Sequence, residues 1–429
     1  MFKVILMTKK TEILILSFAL LISAALGSAA FALEDNFSAV NEFLISKKFI
    51  KDDNISAASG RVILGDEQIT NEYAYLIDGK RVGLVTNQTG ILPDGRHVRD
   101  VISTYKNAKL TALYAPEHGI DGSAPAGKYV SSYTDAKTGI PVYSIYGRNR
   151  KPAPDMLKNI DVLVFDMQDI GARTYTFISS MYKCMEAAKE NGKKIIVLDR
   201  PNPIGADKAE GFVLDQKYAS FVGIDVLPMS HGMTIGELAR YFNRRIGADL
   251  TVVPMKNYRR DMVWQDTGLG KFPQTSPNIP DLESAFCYMM TGSGENTGFG
   301  QSDKFKSGLM KGIDADKLTK DMNAYGLEGV RFHPLKRGEK GGVSIEITDY
   351  NSVNPAKIGY YLLATANLQK PLNISHYDSK KNNSMFLKIQ GSEKFGNALK
   401  SKKTAYQIET MYQRELEDFK HIAEKYYLY

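Results

Sequence analysis

Short apolar runs rich in β-branched residues alternate with helical stretches from about Leu76 onward, and this alternation limits the fold more than any other feature. The strand candidates are residues 82–86, 110–114, 162–165, 195–198 and, as a further candidate, 226–229. Runs that are apolar at nearly every position are typical of strands buried on both faces of a parallel sheet. Their alternation with helices predicts an α/β fold with a doubly wound, mainly parallel sheet and right-handed crossovers.

Two helices are legible within this region. Residues 178–190 carry apolar side chains at helical spacing, which predicts an amphipathic helix. After His231, Thr234 and Glu237 have the spacing of a capping box at the start of a second helix. This gives Glu237 a structural explanation and argues against a catalytic role for it.

The composition shifts to Gly, Pro, Asn and Gln around residues 258–280, which marks a domain boundary or a long connection. Beyond it lie a strand-like segment at 342–348 and helical segments at 358–368 and 404–425. We therefore predict a first α/β domain over residues 71–257 and a smaller α+β domain over residues 258–429. Residues 33–70 are polar and irregular and are predicted to be an N-terminal lead-in with one short amphipathic helix.

The first 32 residues have the three-part pattern of a secretory signal peptide. Three lysines precede an apolar run, and Ala30-Phe31-Ala32 supplies small residues at the spacing of a cleavage site. The run is short for a membrane span of about 20 residues, although an uncleaved anchor is the alternative. We expect a mature protein without a stable membrane span, secreted or located in the cell envelope outside the cytoplasm.

Charge and cysteine content exclude some classes of protein. The chain carries a formal charge of +7, and removal of three lysines and one glutamate with the signal peptide leaves a mildly basic mature protein. Basic residues interleaved with aromatic ones, as in nucleic-acid binders, are absent from the sequence, so no nucleic-acid partner is predicted. Cys184 and Cys287 are the only cysteines. Cys184 is predicted to be a buried thiol, and whether the two pair is left open.

Polar clusters follow the strand candidates. Because ligands bind at the carboxyl ends of strands in open parallel sheets, these clusters predict a site along one edge. The residues concerned are Asn87, Gln88, Glu117, His118, Asp166, Gln168, Asp169, Arg173, Asp199, Arg200, Asn202 and His231.

Several of these residues have two interpretations. Glu117 lies just past a strand and is the first candidate for general acid/base catalysis, with a structural hydrogen bond as the alternative. Asp166 and Asp169 could form a polar pair for substrate hydroxyls or for catalysis, or either could hold Arg173 in a buried ion pair, and for Asp166 the ion pair is favoured. Asp199 and Arg200 could clamp a loop or bind substrate. His231 is equally a cleft residue or a core histidine.

The sequence lacks the motifs of several enzyme classes. A G-x-G-x-x-G motif after the first strand, a Walker A motif, a G-x-S-x-G elbow and H-E-x-x-H are all missing from the sequence. His118 has no partner histidine or cysteine at metal-ligand spacing. No cofactor and no metal are therefore predicted. The remaining carboxylate, amide and imidazole groups suit sugar recognition and glycoside cleavage.

At these residues the sequence resembles a known family. The segments that carry the resemblance are RVGLVTNQTGI (81–91), APEHGIDG (115–122), TGIPVYSIYG (138–147), DVLVFDMQDIGARTYT (161–176), VLDRPNPIG (197–205), SFVG (220–223), HGMTIGELA (231–239) and SPNIP (276–280). Their order and spacing are similar to those of the NamZ-type exo-β-N-acetylmuramidases. The resemblance is dense over residues 76–283 and thinner beyond, where VSIEITD (343–349) and the terminal KYYLY (425–429) still fit.

The resemblance implies a Rossmann-like domain with a cleft that the C-terminal domain closes. It implies hydrolytic release of a non-reducing terminal N-acetylmuramic acid from peptidoglycan-derived saccharides, with Glu117 as the favoured catalytic carboxylate. We predict Glu117, Asp169 and His231 as catalytic residues. The predicted substrate-binding residues are Asn87, Gln88, His118, Gln168, Arg173, Arg200, Asn202 and Glu295.

One segment departs from the family pattern. Where the family shows two glutamates and an arginine in a Gly-rich stretch, this chain has Thr-Gly-Ser-Gly-Glu-Asn-Thr-Gly-Phe-Gly over residues 291–300, so that Glu295 is shifted. Altered specificity or activity is therefore an open alternative. A non-catalytic envelope protein that binds muropeptides or another wall glycan, and a different hydrolase on the same scaffold, are the competing interpretations.

Overall fold

A seven-stranded sheet organises the first part of the computed structural model, which describes residues 60–429 except 126, 137, 148 and 375–384. In chain order its strands are β1 (Arg81–Thr86), β2 (Lys109–Ala115), β3 (Tyr133–Thr134), β4 (Pro141–Ser144), β5 (Val162–Asp166), β6 (Lys194–Leu198) and β9 (Leu250–Val253). The two strands between β6 and β9, namely β7 (Ala209–Glu210) and β8 (Ser230–His231), form a separate two-stranded sheet. The spatial order is β3-β4-β2-β1-β5-β6-β9. Only β3 pairs antiparallel with its neighbour in this sheet. The predicted doubly wound, mainly parallel sheet is confirmed.

The helices of this part lie on both faces of the sheet. They are α1 (Gly65–Gln68), α2 (Val98–Thr104), α3 (Phe177–Glu190) and α4 (Ile235–Ile246). Side chains that alternate along each strand enter two different clusters, so that Leu84 packs with the side chains of α2 and Val85 packs with those of α3 and α4. This period-two alternation, with apolar groups on both sides, explains why the strands are apolar at nearly every position.

Four of the five predicted strands are confirmed, and the fifth is wrong. Residues 226–229 form no strand. Leu227 is buried, but its carbonyl accepts hydrogen bonds from the backbone of Leu214 and the guanidinium of Arg173 in place of a sheet partner. The last strand of the sheet is instead β9, an edge strand whose partly exposed residues give a weaker apolar signal.

The second part of the chain is a smaller α+β assembly. Its helices are α5 (Leu282–Thr291), α6 (Ala315–Ala324), α7 (Pro355–Gln369), α8 (Met385–Gln390), α9 (Lys394–Lys400) and α10 (Ala405–Ala423). A four-stranded antiparallel sheet contains β10 (Gly300–Ser302), β11 (Ser307–Lys311), β12 (Val330–Arg337) and β13 (Lys340–Ile347), in the order β10-β11-β13-β12. The predicted strand near 342–348 and the two long helices are confirmed.

Local predictions also hold. The Thr234 hydroxyl and the Glu237 carboxylate form the expected capping box at the start of α4, and Glu237 is fully buried in an ion pair with Arg260. Cys184 and Cys287 are both buried and free. The predicted signal peptide and the helix of the lead-in lie outside the described residues. Within the described ranges, no helix is both long and apolar enough to cross a membrane.

Candidate functional site

A cavity of about 930 Å³ lies where the loops after β2 and β5 meet α5, the segment that follows it, and α8. This volume is in the usual range for a small-molecule site. Three predicted site residues line it, namely Glu117, His118 and Glu295. Aromatic side chains also contribute to its lining, among them Tyr146, Tyr175, Phe221, Tyr288 and Phe305.

Glu117 is held at both carboxylate oxygens. Its Oε1 accepts a hydrogen bond of 2.9 Å from the backbone N–H of Gly127, and its Oε2 lies 2.7 Å from Oγ1 of Thr176. The hydroxyl of Tyr146 is a further neighbour of Glu117. Burial, with a smaller contribution from the charge of Glu117, raises the pKa of Tyr146 to about 12. These contacts fix the carboxyl group at the cavity surface.

The backbone after Glu117 has an unusual conformation. His118 and Gly119 have φ angles of 72° and 78°, in the left-handed region that only glycine adopts freely. The ring Nδ1 of His118 lies 2.6 Å from the carbonyl oxygen of Ala124, which supports the strained turn. The turn directs the chain back across the carboxyl end of β2 and leaves Glu117 at the cavity.

Glu295 is the second carboxylate of the cavity. Partial burial raises the pKa of Glu295 above the ordinary glutamate value. Burial, together with the charges of Glu295 and Glu117, raises the pKa of Tyr288 to about 12, while a hydrogen bond from Thr174 acts in the opposite direction. Tyr288 therefore lies near both carboxylates. The shifted glutamate of residues 291–300 therefore enters the same cavity as Glu117.

Asp169 and His231 form a buried pair that does not line the cavity. The Nε2 of His231 lies 2.9 Å from Oδ2 of Asp169, and its Nδ1 accepts a hydrogen bond from the backbone N–H of Met233. A ring nitrogen that accepts carries no proton, so this geometry describes a neutral imidazole that donates to Asp169. Burial raises the pKa of Tyr175 and Tyr288, and the charge of Asp169 adds to the effect, so the pair lies near these two tyrosines, which form the tyrosine wall of the cavity.

The amides Asn87, Gln88 and Gln168 act within the protein. Asn87 Oδ1 accepts from the backbone and hydroxyl of Thr89, and Gln168 donates to the carbonyl oxygens of Asp169 and Pro201. Gln88 donates to the carbonyl oxygens of Gln274 and Thr275. That contact supports the segment leading to Ser276, which lines the cavity. None of the three amides lines the cavity itself, and their binding of substrate stays a prediction.

Arg200 lies in a buried ion triad. Its guanidinium contacts Asp166 at 2.6 Å and Asp66 at 2.5 Å, and all three side chains are excluded from solvent. The predicted buried pair of Asp166 with Arg173 is therefore wrong, since the partner is Arg200. Burial and the nearby charge of Asp166 raise the pKa of Asp66, because one guanidinium cannot balance two carboxylates.

Arg173 and Asn202 are also buried away from the cavity. Arg173 donates to the carbonyl oxygens of Phe212, Leu227 and Ile389, and burial without a carboxylate lowers its pKa to about 10. Through Ile389, this guanidinium ties the loop after β5 to α8. Asn202 donates to the carbonyl oxygen of Met233 and accepts from the N–H of Ile204.

Several cavity residues were missed by the sequence predictions. Tyr146 and Thr176 lie within the family-like segments 138–147 and 161–176, and Phe221 lies in 220–223. Their positions within those segments were the available signal. Arg150 gave none, since it lies outside these segments, in the basic stretch Arg-Asn-Arg-Lys of residues 148–151. No group of His, Cys, Asp or Glu side chains suited to a metal ion occurs in the part of the chain that the structure describes.

Comparisons with known proteins agree with this architecture. Family models described as the N-terminal and C-terminal parts of the exo-β-N-acetylmuramidase NamZ match residues 82–283 and 286–429. The peptidoglycan β-N-acetylmuramidase NamZ of Bacillus subtilis (strain 168) is 39% identical over 391 residues, which cover 88% of this chain and 93% of that protein.

Two solved structures are also similar, both of DUF1343 family proteins from Bacteroides fragilis NCTC 9343. One has a TM-score of 0.78 at 36% identity and the other a TM-score of 0.65 at 26% identity. Each match covers 86% of this chain and 99% of the other. The two matched family models together span most of the chain, and the chain therefore belongs to the NamZ family of exo-β-N-acetylmuramidases.

Proposed function

We propose that this protein is a glycoside hydrolase that releases a non-reducing terminal N-acetylmuramic acid from peptidoglycan-derived fragments. Membership of the NamZ family and the relative from Bacillus subtilis support this reaction. The observation that carries the proposal is the position of Glu117 in the cavity, with Glu295 on the same lining. Two carboxyl groups at one sugar-sized cavity are what glycoside hydrolysis requires.

Glu117 acts in this proposal as the general acid that protonates the leaving glycosidic oxygen. Its Oε2 faces the hydroxyl of Thr176 at 2.7 Å. A hydroxyl can donate or accept a hydrogen bond, so this contact accommodates both the protonated and the ionised carboxyl group. The N–H of Gly127 holds the other oxygen in either state. Glu117 can therefore lose and regain its proton without a change of position.

Glu295 acts as the second carboxylate. Among the cavity-lining residues that the structure describes, Glu117 and Glu295 are the two carboxylic acids. Besides the acid, glycoside hydrolysis needs a second carboxylate, which activates water in inverting enzymes and attacks the sugar carbon in retaining ones. The segment that carries Glu295 differs from the family pattern, and we propose that Glu295 supplies this group from its shifted position.

The first experiment measures hydrolysis of a chromogenic β-muramic acid glycoside and of the natural disaccharide of muramic acid and N-acetylglucosamine. Glu117→Gln should lower the rate on the disaccharide by roughly two to four orders of magnitude, because a poor leaving group needs the proton. When the chromogenic substrate is a nitrophenyl glycoside, the rate of this variant on it should fall much less, since the nitrophenolate leaves without being protonated. Glu190→Gln, an exposed partner of Lys151, is the matched control.

Three other outcomes are informative. Equal losses on both substrates would assign Glu117 a nucleophilic or positioning role. Near-normal activity on the disaccharide would remove Glu117 from the mechanism. Binding of muropeptides without any turnover by the wild-type protein would favour the non-catalytic wall-glycan binder. We further propose that the protein works outside the cytoplasm, as the signal-like residues 1–32 predict, and N-terminal sequencing of the mature protein at Leu33 would test this.

A further inference from the structure

Arg150 and Lys388 are the arginine and the lysine among the described residues that line the cavity. Arg150 lies in the loop after β4, is exposed to solvent, and lines the same cavity as Glu117. Its guanidinium carbon is 4.6 Å from the ring centre of Phe221 and 5.8 Å from that of Tyr146. Arg150 forms no ion pair with any carboxylate of the described residues. The cavity thus holds an arginine whose charge the protein itself does not balance.

The contact with Phe221 leaves part of the guanidinium free to bind a ligand. A guanidinium stacks by its planar face on aromatic rings, and the 4.6 Å distance to the ring centre of Phe221 is within the range of such a cation–π contact. The N–H donors lie in the guanidinium plane and point outward from its edge, in the fork geometry that matches a carboxylate. Phe221 therefore orients Arg150 and leaves its donors available. An anionic oxygen pair in the cavity is the ligand that this arrangement fits.

Tyr146 is a neighbour of both Glu117 and Arg150. Its hydroxyl lies beside Glu117, while its ring lies beneath Arg150. Glu117 and Arg150 line the same cavity, so one bound sugar can contact both side chains.

We propose that Arg150 binds the lactyl carboxylate of the terminal muramic acid and thereby selects muramic acid over N-acetylglucosamine. This inference rests on the proposed function. The two sugars differ only by the lactyl ether at the 3-oxygen, and that group carries a negative charge when it is free of peptide. In a cavity lined by Glu117 and Glu295, an anionic substituent is repelled unless a cation receives it. Arg150 fits this role better than Lys388, which also lines the cavity, because a guanidinium presents a fork of donors to a carboxylate. A peptide-free lactyl group is therefore the preferred substrate.

The test compares two chromogenic β-muramic acid glycosides that differ only at the lactyl group. One has the free carboxylate and the other the neutral carboxamide. The wild-type protein should prefer the carboxylate in kcat/KM. Arg150→Gln should lower this carboxylate-to-carboxamide ratio by about 10- to 100-fold, the usual effect of losing a hydrogen bond to a charged group. Arg150→Lys should recover part of the ratio, because it restores the charge without the fork.

A neighbouring residue provides the control. Lys151 pairs with Glu190 at the surface and does not line the cavity, so Lys151→Gln should leave the ratio unchanged. A ratio that stays at the wild-type value in Arg150→Gln would overturn the assignment of Arg150. If the wild-type protein hydrolyses neither glycoside, the proposed function fails. Loss of the ratio in Lys388→Gln but not in Arg150→Gln would move the carboxylate to Lys388 and overturn the inference.

Discussion

Thr176 donates its hydroxyl to Glu117 across 2.7 Å, from the turn that begins α3 to the turn that follows β2. Removal of this hydroxyl leaves the N–H of Gly127 and the neighbouring Tyr146 hydroxyl at the carboxylate. Thr176→Val keeps the shape of the side chain, and we expect it to lower kcat on the natural disaccharide by about 10-fold. Thr176→Ser should retain most of the activity. Equal activity in the valine and serine variants would show that the contact does not assist catalysis.

Glu295 should control the acidic limb of the pH–rate profile. Burial raises its pKa above the ordinary value of 4.5. A group that must be ionised loses function as pH falls through its pKa, so the raised pKa moves this limb to higher pH. In Glu295→Gln we expect a large loss of kcat and a residual activity without that limb. Loss of the alkaline limb instead would identify Glu295 as the proton donor and would reverse the roles of the two glutamates. The control is Glu283→Gln, whose carboxylate pairs with Lys306.

The scaffold and the position of Glu117 were more predictable from the sequence than the rest of the site. Continuous apolar runs in the sequence predicted the buried strands. The prediction of Glu117 as a site residue followed from its position just past β2, because ligands bind at the carboxyl ends of parallel strands. The same rule selected Arg200, which lies at the end of β6 but is buried in an ion triad. Residues at a strand end can point into the sheet edge or into the cavity, and that choice depends on the fold of the loop.

Partners far apart in sequence explain most of the other differences. Asp66 lies in α1, within the segment predicted to be a lead-in, yet it is fully buried against Arg200. The Arg173 guanidinium reaches the carbonyl oxygen of Ile389, more than 200 residues away. No local pattern specifies such pairs, because packing of the two parts of the chain brings them together. The shift of Glu295 was visible in the sequence, whereas its entry into the cavity required the fold.

The buried triad predicts a pH-dependent stability. Burial raises the pKa of Asp66 in the folded state, so the folded protein holds this proton more tightly than the unfolded chain. This contribution is fully present below the unfolded pKa and is lost as pH rises toward the folded pKa. Asp66→Asn cannot titrate, and its free energy of unfolding relative to wild type should increase between about pH 5 and about pH 8. Urea unfolding at both pH values measures this difference in the free energy of unfolding, and Asp94→Asn, at an exposed position, is the control.

Arg200→Met tests the other member of the triad. It leaves Asp166 and Asp66 buried without their cation, and we expect a loss of about 3–5 kcal/mol in the free energy of unfolding. Arg96→Met removes an exposed pair with Asp94 and should leave the free energy of unfolding nearly unchanged, because solvent screens such a pair. A direct substrate contact at Arg200 would instead raise KM in a variant of normal stability, for which Arg200→Lys is the milder test.

The C-terminal tyrosine should stabilise the first domain. The Tyr429 hydroxyl donates to Asp199 Oδ2 at 2.7 Å and accepts from the N–H of Met255, within the edge of the parallel sheet. Tyr429→Phe leaves both partners without this contact, and we expect a cost of about 1–3 kcal/mol in unfolding free energy. Tyr75→Phe, at an exposed position, is the matched control. A variant as stable as the wild-type protein would mean that water replaces the hydroxyl.

Substitution of His231, which pairs with Asp169, can distinguish a positioning role of this histidine from a catalytic one. The neutral ring of His231 donates to Asp169 near Tyr175 and Tyr288, and neither His231 nor Asp169 lines the cavity. His231→Ala leaves the buried carboxylate with one described donor, the N–H of Gly171. We expect a loss of about 1–3 kcal/mol in the free energy of unfolding.

Activity then distinguishes the two roles of His231. If the pair supports the tyrosine wall, His231→Ala should lower kcat/KM by the same factor on the disaccharide and on the nitrophenyl glycoside, because a displaced wall misplaces both sugars equally. If His231 transfers a proton to the leaving group, as the sequence predicted for a catalytic residue, the loss should be far larger on the disaccharide. His333→Ala removes an exposed histidine that contacts Glu346 and should leave both rates unchanged. Because His231 is neutral and already donates its one N–H to Asp169, the equal loss is the expected result.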